Sequence, residues 1–565
     1  MGEYVHILLH GQKRHRSTYE KLFAARDPCR VLVFSEQEEL NPDLIDCASK
    51  HGADIERIPI ESLQIPNKWT IEMIQSKPYT IISQMCDGII SQKLHPESVV
   101  VSIFSGSNLH QSMLLLVAKQ FGFEIMLSER TNQDIVQVQP QSWITHQNIS
   151  QELSKSQLDL LLSILHERLI NKVSDTELVN PWRNAQQIVG SVVGGHAPKE
   201  EGFSVSAKKL ITSGLLKEKG NDPKQYSLTG KGWLHALELW RENTDIDPQR
   251  PARIMGALAA RRDDSSEYHS IRIANRLPYV EDWLPIFSRL RDDSEPGITL
   301  FDKVTKSAKL SEADQFEIDS IREHWGLMLA SRDMNLHSWS LLDVSVDEME
   351  SQFSTFCDWI WPRLMSESGL RRWCMDITQF PNNSVIIGVL FAQALGIPIT
   401  FTLAQSGHEG TGGKKVTHDV QNRSLLVIPL PDWKLINSIS APKIVKLDNR
   451  YKVLISLLSY EEEYNIARRA FETELEEIDP EDEELEFGMS LGISRQDLET
   501  WIDKSIENGT VDTRLSVKLG NTKTQNELMD SQMIFVEEMY QSRKHLMRLT
   551  PIGRIAAILL RERIL

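Results

Sequence analysis

The apolar residues of this chain are most continuous between Val99 and Ile103, where β-branched side chains predominate. Such a run predicts a strand that is buried on both faces of a parallel sheet. A short polar loop (SGSN, residues 105–108) and a helical pattern ending near Gly122 follow it. The loop has small side chains, and a helix begins beside it, so its backbone N–H groups can approach an anion closely. We therefore predict an anion-receiving turn here.

The same pattern of strand, loop, helix and strand recurs between residues 373 and 401. When the two stretches are aligned, Asn108 falls on Asn382, and Gly122 falls on Gly396. The chain therefore carries two related loops, and the second lacks the glycine of the first.

Strands alternate with helices on either side of these loops. In the first part of the chain, we predict strands at 4–9, 30–34 and 55–60, separated by helical patterns. This alternation predicts an α/β fold with a parallel, doubly wound sheet. The order repeats from Tyr268, with further strands predicted at 298–301 and 339–344, so we interpret the chain as an internal duplication.

A second type of module follows each predicted sheet, within residues 203–240 and 494–561. Each contains a helix ending at a glycine (Gly214 or Gly509), a hairpin-like connection and a Leu-Thr-x-x-Gly turn into a closing helix. Threonine in this turn is a natural helix N-cap. This order predicts a winged helix-turn-helix; the alternative is that two amphipathic helices and a hairpin pack in some other way.

These patterns predict five segments. They are a first sheet domain at 1–150, a first winged helix at 151–250, a linker at 251–267, a second sheet domain at 268–435, and a second winged helix at 436–565 with an acidic segment at 472–486.

Composition narrows the class of protein. The 565 residues suit about three or four domains, and no apolar run approaches the length of a membrane span. The N-terminus enters a strand directly, so we expect no signal peptide, and five cysteines without a C-x-x-C pair favour a reducing, cytoplasmic location without structural zinc. The net charge of −17 argues against non-specific nucleic-acid binding by the whole surface, although local basic patches can still bind.

The sheet order, the polar loop after the first strand, the Ser-Gly-Ser-Asn loop and the winged helix together resemble the CRISPR-associated Rossmann fold (CARF) family. The family's loop is Thr/Ser-Gly-Gly-Thr/Asn, and here Ser107 stands in place of the second glycine. The resemblance covers roughly residues 4–250 and, more weakly, 268–565. It implies two Rossmann-like domains that together bind a cyclic oligoadenylate, as a fused version of the dimer that CARF domains form.

The resemblance also implies which residues bind the ligand, namely those of the loops after the first and fourth strands of each repeat. In the first repeat these are Gly11, Gln12, Lys13, Arg14, Ser105, Gly106, Ser107 and Asn108. In the second they are Asn275, Arg276, Thr378, Gln379, Phe380, Asn382 and Asn383. We expect the first loop to hold phosphates, and Phe380 to stack on a base. The alternative for the basic loop is a solvated turn. We expect no cofactor.

Other motifs suit simpler interpretations. The glycine-rich stretch at 405–417 lacks the Ser/Thr of a Walker A loop, and we interpret it as a hairpin tip, the alternative being a flap over a ligand. Arg332 and His337 match the Arg-x4-His of HEPN ribonucleases, but they lie inside the second sheet repeat, so a nuclease site there is disfavoured. Neither a metal site nor a Ser-His-Asp set can be placed from the sequence.

The function that the resemblance to the CARF family implies is that of a sensor of cyclic oligoadenylate in CRISPR-type antiviral defence, with the signal passed to the winged helices. One alternative is a ring nuclease that opens the ligand, so enzymatic activity stays open. Another is a DNA-binding regulator that uses five lysines of the first winged helix: Lys208, Lys209, Lys217, Lys219 and Lys231. A third is a protein-binding adaptor. We expect no membrane partner, and either a monomeric pseudo-dimer or a higher oligomer.

Overall fold

A computed structural model of the chain describes the regular elements and the turns that join many of them. The described residues are 3–10, 16–61, 80–82, 84–89, 91–92, 94–103, 106–130, 136–145, 153–170, 182–189, 202–220, 223–243, 268–274, 297–304, 335–343, 349–366, 372–377, 384–395, 399–404, 423–428, 449–476, 492–519, 522–530, 533–538 and 545–564.

The strands and helices are numbered here in chain order. The strands are β1 (Tyr4–Leu9), β2 (Pro28–Ser35), β3 (Asp54–Pro59), β4 (Val99–Ser102), β5 (Glu124–Arg130), β6 (Val136–Pro140), β7 (Arg183–Asn184), β8 (Leu216–Lys219), β9 (Gln225–Leu228), β10 (Tyr268–Ala274), β11 (Gly297–Val304), β12 (Asn335–Asp343), β13 (Arg372–Asp376), β14 (Ile399–Ala404), β15 (Arg423–Ile428), β16 (Ile493–Ser494), β17 (Ile534–Glu538) and β18 (His545–Leu549). The helices are α1 (Arg16–Ala25), α2 (Pro42–Lys50), α3 (Asn108–Phe121), α4 (Ser142–Thr145), α5 (Lys155–Ile170), α6 (Ala185–Val189), α7 (Phe203–Thr212), α8 (Gly230–Asn243), α9 (Met349–Ser366), α10 (Ser384–Leu395), α11 (Asn449–Glu476), α12 (Arg495–Glu507), α13 (Lys523–Asp530) and α14 (Pro551–Ile564).

The chain divides into two compact units. The first comprises Met1–Ile81 and Leu94–Leu430, and the second comprises Ile82–Lys93 and Pro431–Leu565. The first unit thus contains two large sheets and one small sheet, and the second contains the other small sheet. The predicted linker at 251–267 lies outside the described residues, and the predicted acidic segment begins inside α11.

The first large sheet has the strand order β3-β2-β1-β4-β5-β6. The first five of these strands are parallel to their neighbours, and β6 pairs antiparallel with β5. The apolar run of β4 is fully buried, as its β-branched sequence predicts. The prediction of an α/β fold built on a parallel sheet is therefore confirmed, whereas the antiparallel edge strand was not foreseen.

Local sequence signals explain where the helices around this sheet begin and end. The side chain of Asn41 accepts a hydrogen bond from Asp43 N at 2.9 Å, and Pro42 occupies the first turn of α2. Gly122 ends α3 with a φ of 71°, which suits a residue without a Cβ. On one side of the sheet, α1 and α2 bury Leu22, Phe23 and Leu44 against β2.

The second large sheet has the order β12-β11-β10-β13-β14-β15. Its first five strands are also parallel to their neighbours, and β15 pairs antiparallel with β14. The two sheets thus place corresponding strands in the same order, and β10 begins at Tyr268, the residue that aligns with Tyr4.

Each small sheet is antiparallel and has three strands, in the orders β7-β9-β8 and β16-β18-β17. The predicted Leu-Thr-x-x-Gly turns follow β9 and β18. In each, the threonine Oγ1 accepts a hydrogen bond from the glycine N at 2.9 Å, from Gly232 to Thr229 and from Gly553 to Thr550. The threonine N-caps are therefore confirmed.

One expectation about these modules is wrong. The sequence pattern equated the helix ending at Gly214 with the helix ending at Gly509, but α7 leads directly into β8, whereas α12 is followed by α13 before β17 begins. In the second module, α13 is the helix equivalent to α7. The same backbone hydrogen bond closes the end of each helix, from Leu215 N to Leu210 O after α7 and from Met533 N to Leu528 O after α13, both at 2.8 Å. The helices α7 and α12 both end at a glycine, so the local signal alone could not distinguish them.

In the first unit, α8 packs against α9 and α10, the helices that flank the second sheet. Trp233 Nε1 donates to Asp358 Oδ1 at 3.2 Å, and the ring of Trp240 meets that of Trp361 edge-on at 5.2 Å. In the second unit, α11 packs against α14, and Arg561 donates to both carboxylate oxygens of Glu462.

Candidate functional site

The loop after β4 is built by a glycine and a helix cap. Gly106 has a φ of 86°, which favours glycine, and a Cβ at this position would lie 3.3 Å from Cδ1 of Leu9. Ser107 then caps α3, because its Oγ accepts a hydrogen bond from His110 N at 3.2 Å. The loop therefore lies against the last residue of β1.

This position is the switch point of the first sheet. The strand order runs from β1 outward to β3 on one side and from β4 to β5 on the other. In open α/β sheets, ligands bind outside the carboxyl ends of the strands at this point, where loops leave in opposite directions. In the second sheet, the equivalent place lies between β10 and β13.

The first loop also contacts the second sheet. Nδ2 of Asn108 donates a hydrogen bond to the carbonyl oxygen of Ile377 at 2.9 Å, and α3 packs against α10. Ile377 is the residue directly after β13. A direct hydrogen bond thus joins the first turn of α3, the helix after β4, to the residue that follows β13.

A histidine lies behind the loop. The Nδ1 atom of His110 is 3.0 Å from Ser107 Oγ, and its Nε2 is 3.3 Å from Oε1 of Glu36, the residue after β2. Its side chain is 6% exposed, and this burial lowers the pKa of His110 to about 4, although the Glu36 carboxylate opposes the shift. The imidazole is therefore neutral near pH 7.

Further polar groups surround this histidine. The buried Gln111 amide donates to Gly106 O at 3.1 Å, and Ser112 Oγ donates to Asn108 O at 2.7 Å. Within the described part of the chain, Gln111 Oε1 and Ser102 Oγ are buried and make no hydrogen bond. These two polar atoms at this edge of the sheet can therefore still form hydrogen bonds with a ligand.

A cation lies at the same edge. Arg57, near the end of β3, donates from Nη2 to Ser35 O at 3.4 Å, and its buried Nε makes no hydrogen bond among the described residues. Burial lowers the pKa of the neighbouring His10, and the charge of Arg57 lowers it further. A guanidinium in this position is suited to an anionic ligand.

The structure describes three of the predicted ligand residues, and brings Gly106, Ser107 and Asn108 together at the switch point. The others lie outside the described residues: Gly11, Gln12, Lys13, Arg14, Ser105, Asn275, Arg276, Thr378, Gln379, Phe380, Asn382 and Asn383. In the chain, they directly follow β1, β4, β10 and β13, the strands that border the two switch points.

Sequence reasoning missed Glu36, Arg57 and His110. His110 follows Ser107 by one helical turn, so this pair could have been found from the spacing in a predicted N-terminus. Glu36 and Arg57 carried no such signal, because they reach the site only through the register of β2 with β1 and of β3 with β2.

The predicted DNA-binding lysines lie on the first small module. Lys208 and Lys209 on α7 and Lys217 and Lys219 on β8 are exposed. The Nζ atoms of Lys217 and Lys219 lie 5.7 and 5.3 Å from the centre of the Trp182 ring. Lys231 is half-buried, and its Nζ donates to Ser213 O at 3.1 Å, so this lysine is partly engaged in the fold.

The two other motifs can be placed only in part. The strands that flank the glycine-rich stretch, β14 and β15, pair antiparallel as a hairpin requires, and residues 405–417 themselves lie outside the described residues. The end of the Arg-x4-His motif lies within β12, and Arg332 lies outside the described residues.

Among the residues that the structure describes, no cluster of three or more His, Cys, Asp or Glu side chains is placed to hold a metal ion. Among the helices that the structure describes, none combines the length and the apolar character needed to cross a membrane.

No protein-family model matches the chain, and no curated protein matches it. Among solved structures, it is similar to protein VC1899 from Vibrio cholerae (9% identity, TM-score 0.18, covering 65% of this chain and 97% of that one). It is also similar to Can2 from Sulfobacillus thermosulfidooxidans in complex with cyclic tetra-adenylate (10% identity, TM-score 0.17, covering 64% and 98%). A third similarity is to UDP-GlcNAc 2-epimerase from Neisseria meningitidis bound to UDP-GlcNAc (13% identity, TM-score 0.14, covering 66% and 77%). TM-scores this low do not establish a shared fold.

Proposed function

We propose that this chain is a tandem CARF-like protein that binds a cyclic oligonucleotide, of the cyclic oligoadenylate class, between two Rossmann-like domains. Each domain is followed by a winged helix in this proposal, and the whole chain is an internal duplication. The repeated sequence pattern and the common strand order of the two large sheets support it. The role that follows is sensing, in the cytoplasm, within CRISPR-type antiviral defence.

The hydrogen bond between Asn108 and Ile377 carries the proposal. A cyclic ligand with several phosphates needs polar groups from both halves of a site, and this bond connects the segments that follow the carboxyl ends of β4 and β13. Ligands of α/β sheets bind at these ends. One ring can then be contacted by the loops of both sheets.

The chemistry of the first loop suits phosphodiesters. The N-terminus of α3 supplies a positive dipole end, and Arg57 supplies a guanidinium with a buried Nε that makes no hydrogen bond among the described residues. We expect Lys13 and Arg14 to add positive charge. Phe380 and Pro381 in the second loop are less suited to phosphate, so we expect the second loop to contact bases.

A route for the signal runs along α3. Its N-terminus lies at the proposed site, and Lys119 near its other end donates from Nζ to Glu238 Oε1 of α8 at 3.3 Å. The helix α8 directly follows β9 of the first small module. A shift of α3 on ligand binding would therefore be transmitted to this module.

The test is isothermal titration calorimetry of the full chain with cyclic tri-, tetra- and hexa-adenylate. At least one ring is expected to bind, and Gly106→Trp is expected to abolish binding by filling the approach to the loop. Gly52→Trp is the matched control, because Gly52 also has a positive φ and its Cβ would meet nothing within 4 Å. Phe380→Ala is expected to weaken binding by about 1–3 kcal/mol. The proposal fails if no ring binds or if Gly106→Trp binds like the wild type.

The exposed face of α7 favours a second candidate function, DNA binding by the first module. Lys208 and Lys209 lie beside Val205, whose side chain is 62% exposed. Exposed lysines flanking an apolar side chain on one helix suit phosphates and a thymine methyl group in the major groove. The corresponding helix α13 has only one lysine and two acidic residues.

We expect salt-dependent binding to duplex DNA in fluorescence anisotropy, weakened at least about tenfold when Lys208 and Lys209 are both changed to Glu. The control is Lys523→Glu on α13. If salt has no effect on binding, or if the control weakens it equally, the module is better interpreted as a protein-binding adaptor.

A further inference from the structure

The helix before the fourth strand of each large sheet contains the same pair of residues, a cysteine and an aspartate. In the second sheet these are Cys357 and Asp358, within α9, which precedes β13. In the first sheet they are Cys86 and Asp87, within the helical residues 84–89, which precede β4. Both cysteines are buried. The two aspartates therefore occupy corresponding positions in the repeated order of elements.

Asp358 lies where α9 packs against α8, the closing helix of the first small module. Nε1 of Trp233 donates a hydrogen bond to Oδ1 of Asp358 at 3.2 Å, and both side chains are buried. The ring of Trp240 meets that of Trp361 edge-on at 5.2 Å. We call this set of residues the Asp358 contact. Through it, the module that follows the first sheet is held by a helix of the second sheet.

The closing helix of the second small module, α14, has charged side chains at the corresponding positions. When the Leu-Thr-x-x-Gly turns that begin α8 and α14 are aligned, Trp233 falls on Arg554, and Trp240 falls on Arg561. Arg561 donates to both carboxylate oxygens of Glu462, and the buried Nε of Arg554 makes no hydrogen bond within the described part of the chain. Two guanidinium groups thus replace two indole rings.

A segment of the first sheet domain belongs to the compact unit that contains α14. Residues Ile82–Lys93 lie between β3 and β4 in the chain, but they are part of the second unit. Although Asp87 is exposed, the protein around its carboxylate raises its pKa, and the charges of Arg554 and Arg561 oppose this rise. Asp87 is therefore close to the arginines of α14, and we call these three residues the Asp87 contact.

We propose that each sheet domain holds the small module of the other, the first through the Asp87 contact and the second through the Asp358 contact, and that only the Asp87 contact is released by salt. The second module can then separate from residues 82–93 while the first module stays in place. This inference takes only the duplication of the chain from the proposed function, and it does not require a ring to bind.

The difference in release follows from the different chemistry of the two contacts. Salt screens exposed charges over a distance of about 10 Å at 0.1 M and about 3 Å at 1 M, but it screens buried groups much less. Asp87 is exposed, whereas Trp233 and Trp361 are fully buried. Salt therefore weakens the attraction between Asp87 and the arginines and leaves the aromatic contact intact.

The Asp87 contact also adjoins the proposed site along the chain. The strand β4 begins at Val99, shortly after Lys93, and the loop that contains Gly106 follows it. A displacement of residues 82–93 therefore acts directly on the strand that carries this loop. Release of the second module is a regulatory step that can reach the site, whatever the loop binds.

The experiment measures hydrogen exchange of the full chain by mass spectrometry, near neutral pH, at about 0.05 M and about 0.5 M sodium chloride. An isolated helix as short as residues 84–89 is not stable in water, so its amides lose protection when the contact opens. We expect these amides to exchange about fivefold faster at the higher salt concentration, the factor for losing a partly exposed charge pair. Exchange in α8 and α9 should not change.

Two neutral variants at the corresponding aspartates test the charge. Asp87→Asn keeps the size of the side chain and removes its charge, so residues 84–89 should exchange fast at both salt concentrations. The matched variant is Asp358→Asn, which keeps an acceptor for Trp233 Nε1. With this change, the salt response of residues 84–89 should remain as in the wild type.

A charge reversal tests the contact more strongly. Asp87→Arg places a third positive charge beside Arg554 and Arg561, so we expect faster exchange of residues 84–89 than in Asp87→Asn at low salt. The control is Glu39→Arg, which makes the same change in net charge at an exposed position of the loop after β2 and should leave exchange unchanged.

Three outcomes would overturn the inference. One is an equal effect of salt on residues 84–89 and on α9. Another is a salt response that survives Asp87→Asn, because the charge of Asp87 is then not its cause. The third is wild-type exchange in Asp87→Arg, which would mean that apolar packing alone holds the segment. Calorimetry with the rings tests the proposed function separately, so either can fail without the other.

Discussion

Asn108 and Ile377 join the two large sheets by a hydrogen bond of 2.9 Å from a side-chain amide to a backbone carbonyl, across 269 positions of the chain. Asn108 occupies the first turn of α3, and Ile377 follows β13. The Asn108 side chain belongs to α3, whose N-terminus Ser107 caps. A helix that flanks the first sheet is therefore hydrogen-bonded to the residue that follows β13 of the second sheet.

The first prediction concerns this contact. Asn108→Ala removes the donor and leaves the carbonyl of Ile377 without it, so we expect a loss of about 1–2 kcal/mol in the free energy of unfolding. Urea denaturation measures it. The control is Asn526→Ala on the exposed face of α13, which should change stability by less than about 0.5 kcal/mol. Equal losses would mean that the contact contributes nothing to stability.

The second prediction concerns the turns after β9 and β18. A Cβ on Gly232 would lie 1.9 Å from Leu215 O, and one on Gly553 would lie 1.8 Å from Met533 O. Alanine normally stabilises a helix relative to glycine, but here the backbone must move, so each Gly→Ala change should cost about 3 kcal/mol or more. Thermal unfolding checks both.

Ser204→Ala, at an exposed position of α7, is the control for these glycine variants and should be nearly neutral. If Gly232→Ala or Gly553→Ala raised the melting temperature, as glycine replacement in an open helix does, the close approach of backbone to helix would be wrong.

The third prediction concerns acid. His6 is buried, its Nε2 donates to Arg26 O at 2.8 Å, and burial lowers the pKa of His6 to about 4. The unfolded chain binds a proton near pH 6.5 and the folded chain does not, so stability falls as the pH drops from about 6.5 towards 4. The loss from His6 approaches about 3 kcal/mol.

His6→Gln should flatten this part of the pH profile, measured by urea denaturation at pH 7, 6, 5 and 4. Replacing the exposed His545 by Gln should leave the profile as it is. An unchanged slope in His6→Gln would contradict the assignment.

The fourth prediction concerns the second unit. Glu461 is buried, and burial raises its pKa to about 7 against the opposing effects of Arg554, the hydrogen bond from Leu549 N and Arg548. The folded state holds this proton more tightly than the unfolded state, so stability falls as the pH rises from about 4.5 through 7, by up to about 3 kcal/mol.

Glu461→Gln keeps an acceptor for Leu549 N and cannot ionise, so we expect it to raise stability at pH 8 and to have little effect at pH 4. Glu507→Gln, at an exposed position of α12, should show no such dependence on pH. Destabilisation by Glu461→Gln at pH 8 would instead mean that Arg554 and Arg548 stabilise the ionised Glu461 carboxylate in the folded state, which contradicts the prediction.

The sequence predicted the loop of the site better than its surroundings. Gly106, Ser107 and Asn108 were found because a short polar loop with small residues, placed between a buried strand and a helix, indicates an anion-receiving turn from the sequence alone. The modules show the limit of such signals, since Gly214 and Gly509 both end helices but only α7 leads into a strand. The hydrogen bonds from Leu215 to Leu210 and from Met533 to Leu528 identify the equivalent helices.

What the sequence determined by itself is the set of features that depend on near neighbours. The burial of β4, the caps at Ser107, Thr229 and Thr550, and the end of α3 at Gly122 all follow from residues a few positions apart. The hydrogen bonds and side-chain volumes involved are local, so the amino-acid order specifies them directly.

Only the tertiary structure decided which distant groups meet at the loop. Glu36 reaches His110 because β2 lies beside β1 in register, and Ile377 reaches Asn108 because α3 packs on α10. Parallel strands and packed helices bring together residues with no fixed spacing along the chain. The contacts of this loop with distant residues therefore depend on strand order and packing, which no local pattern specifies.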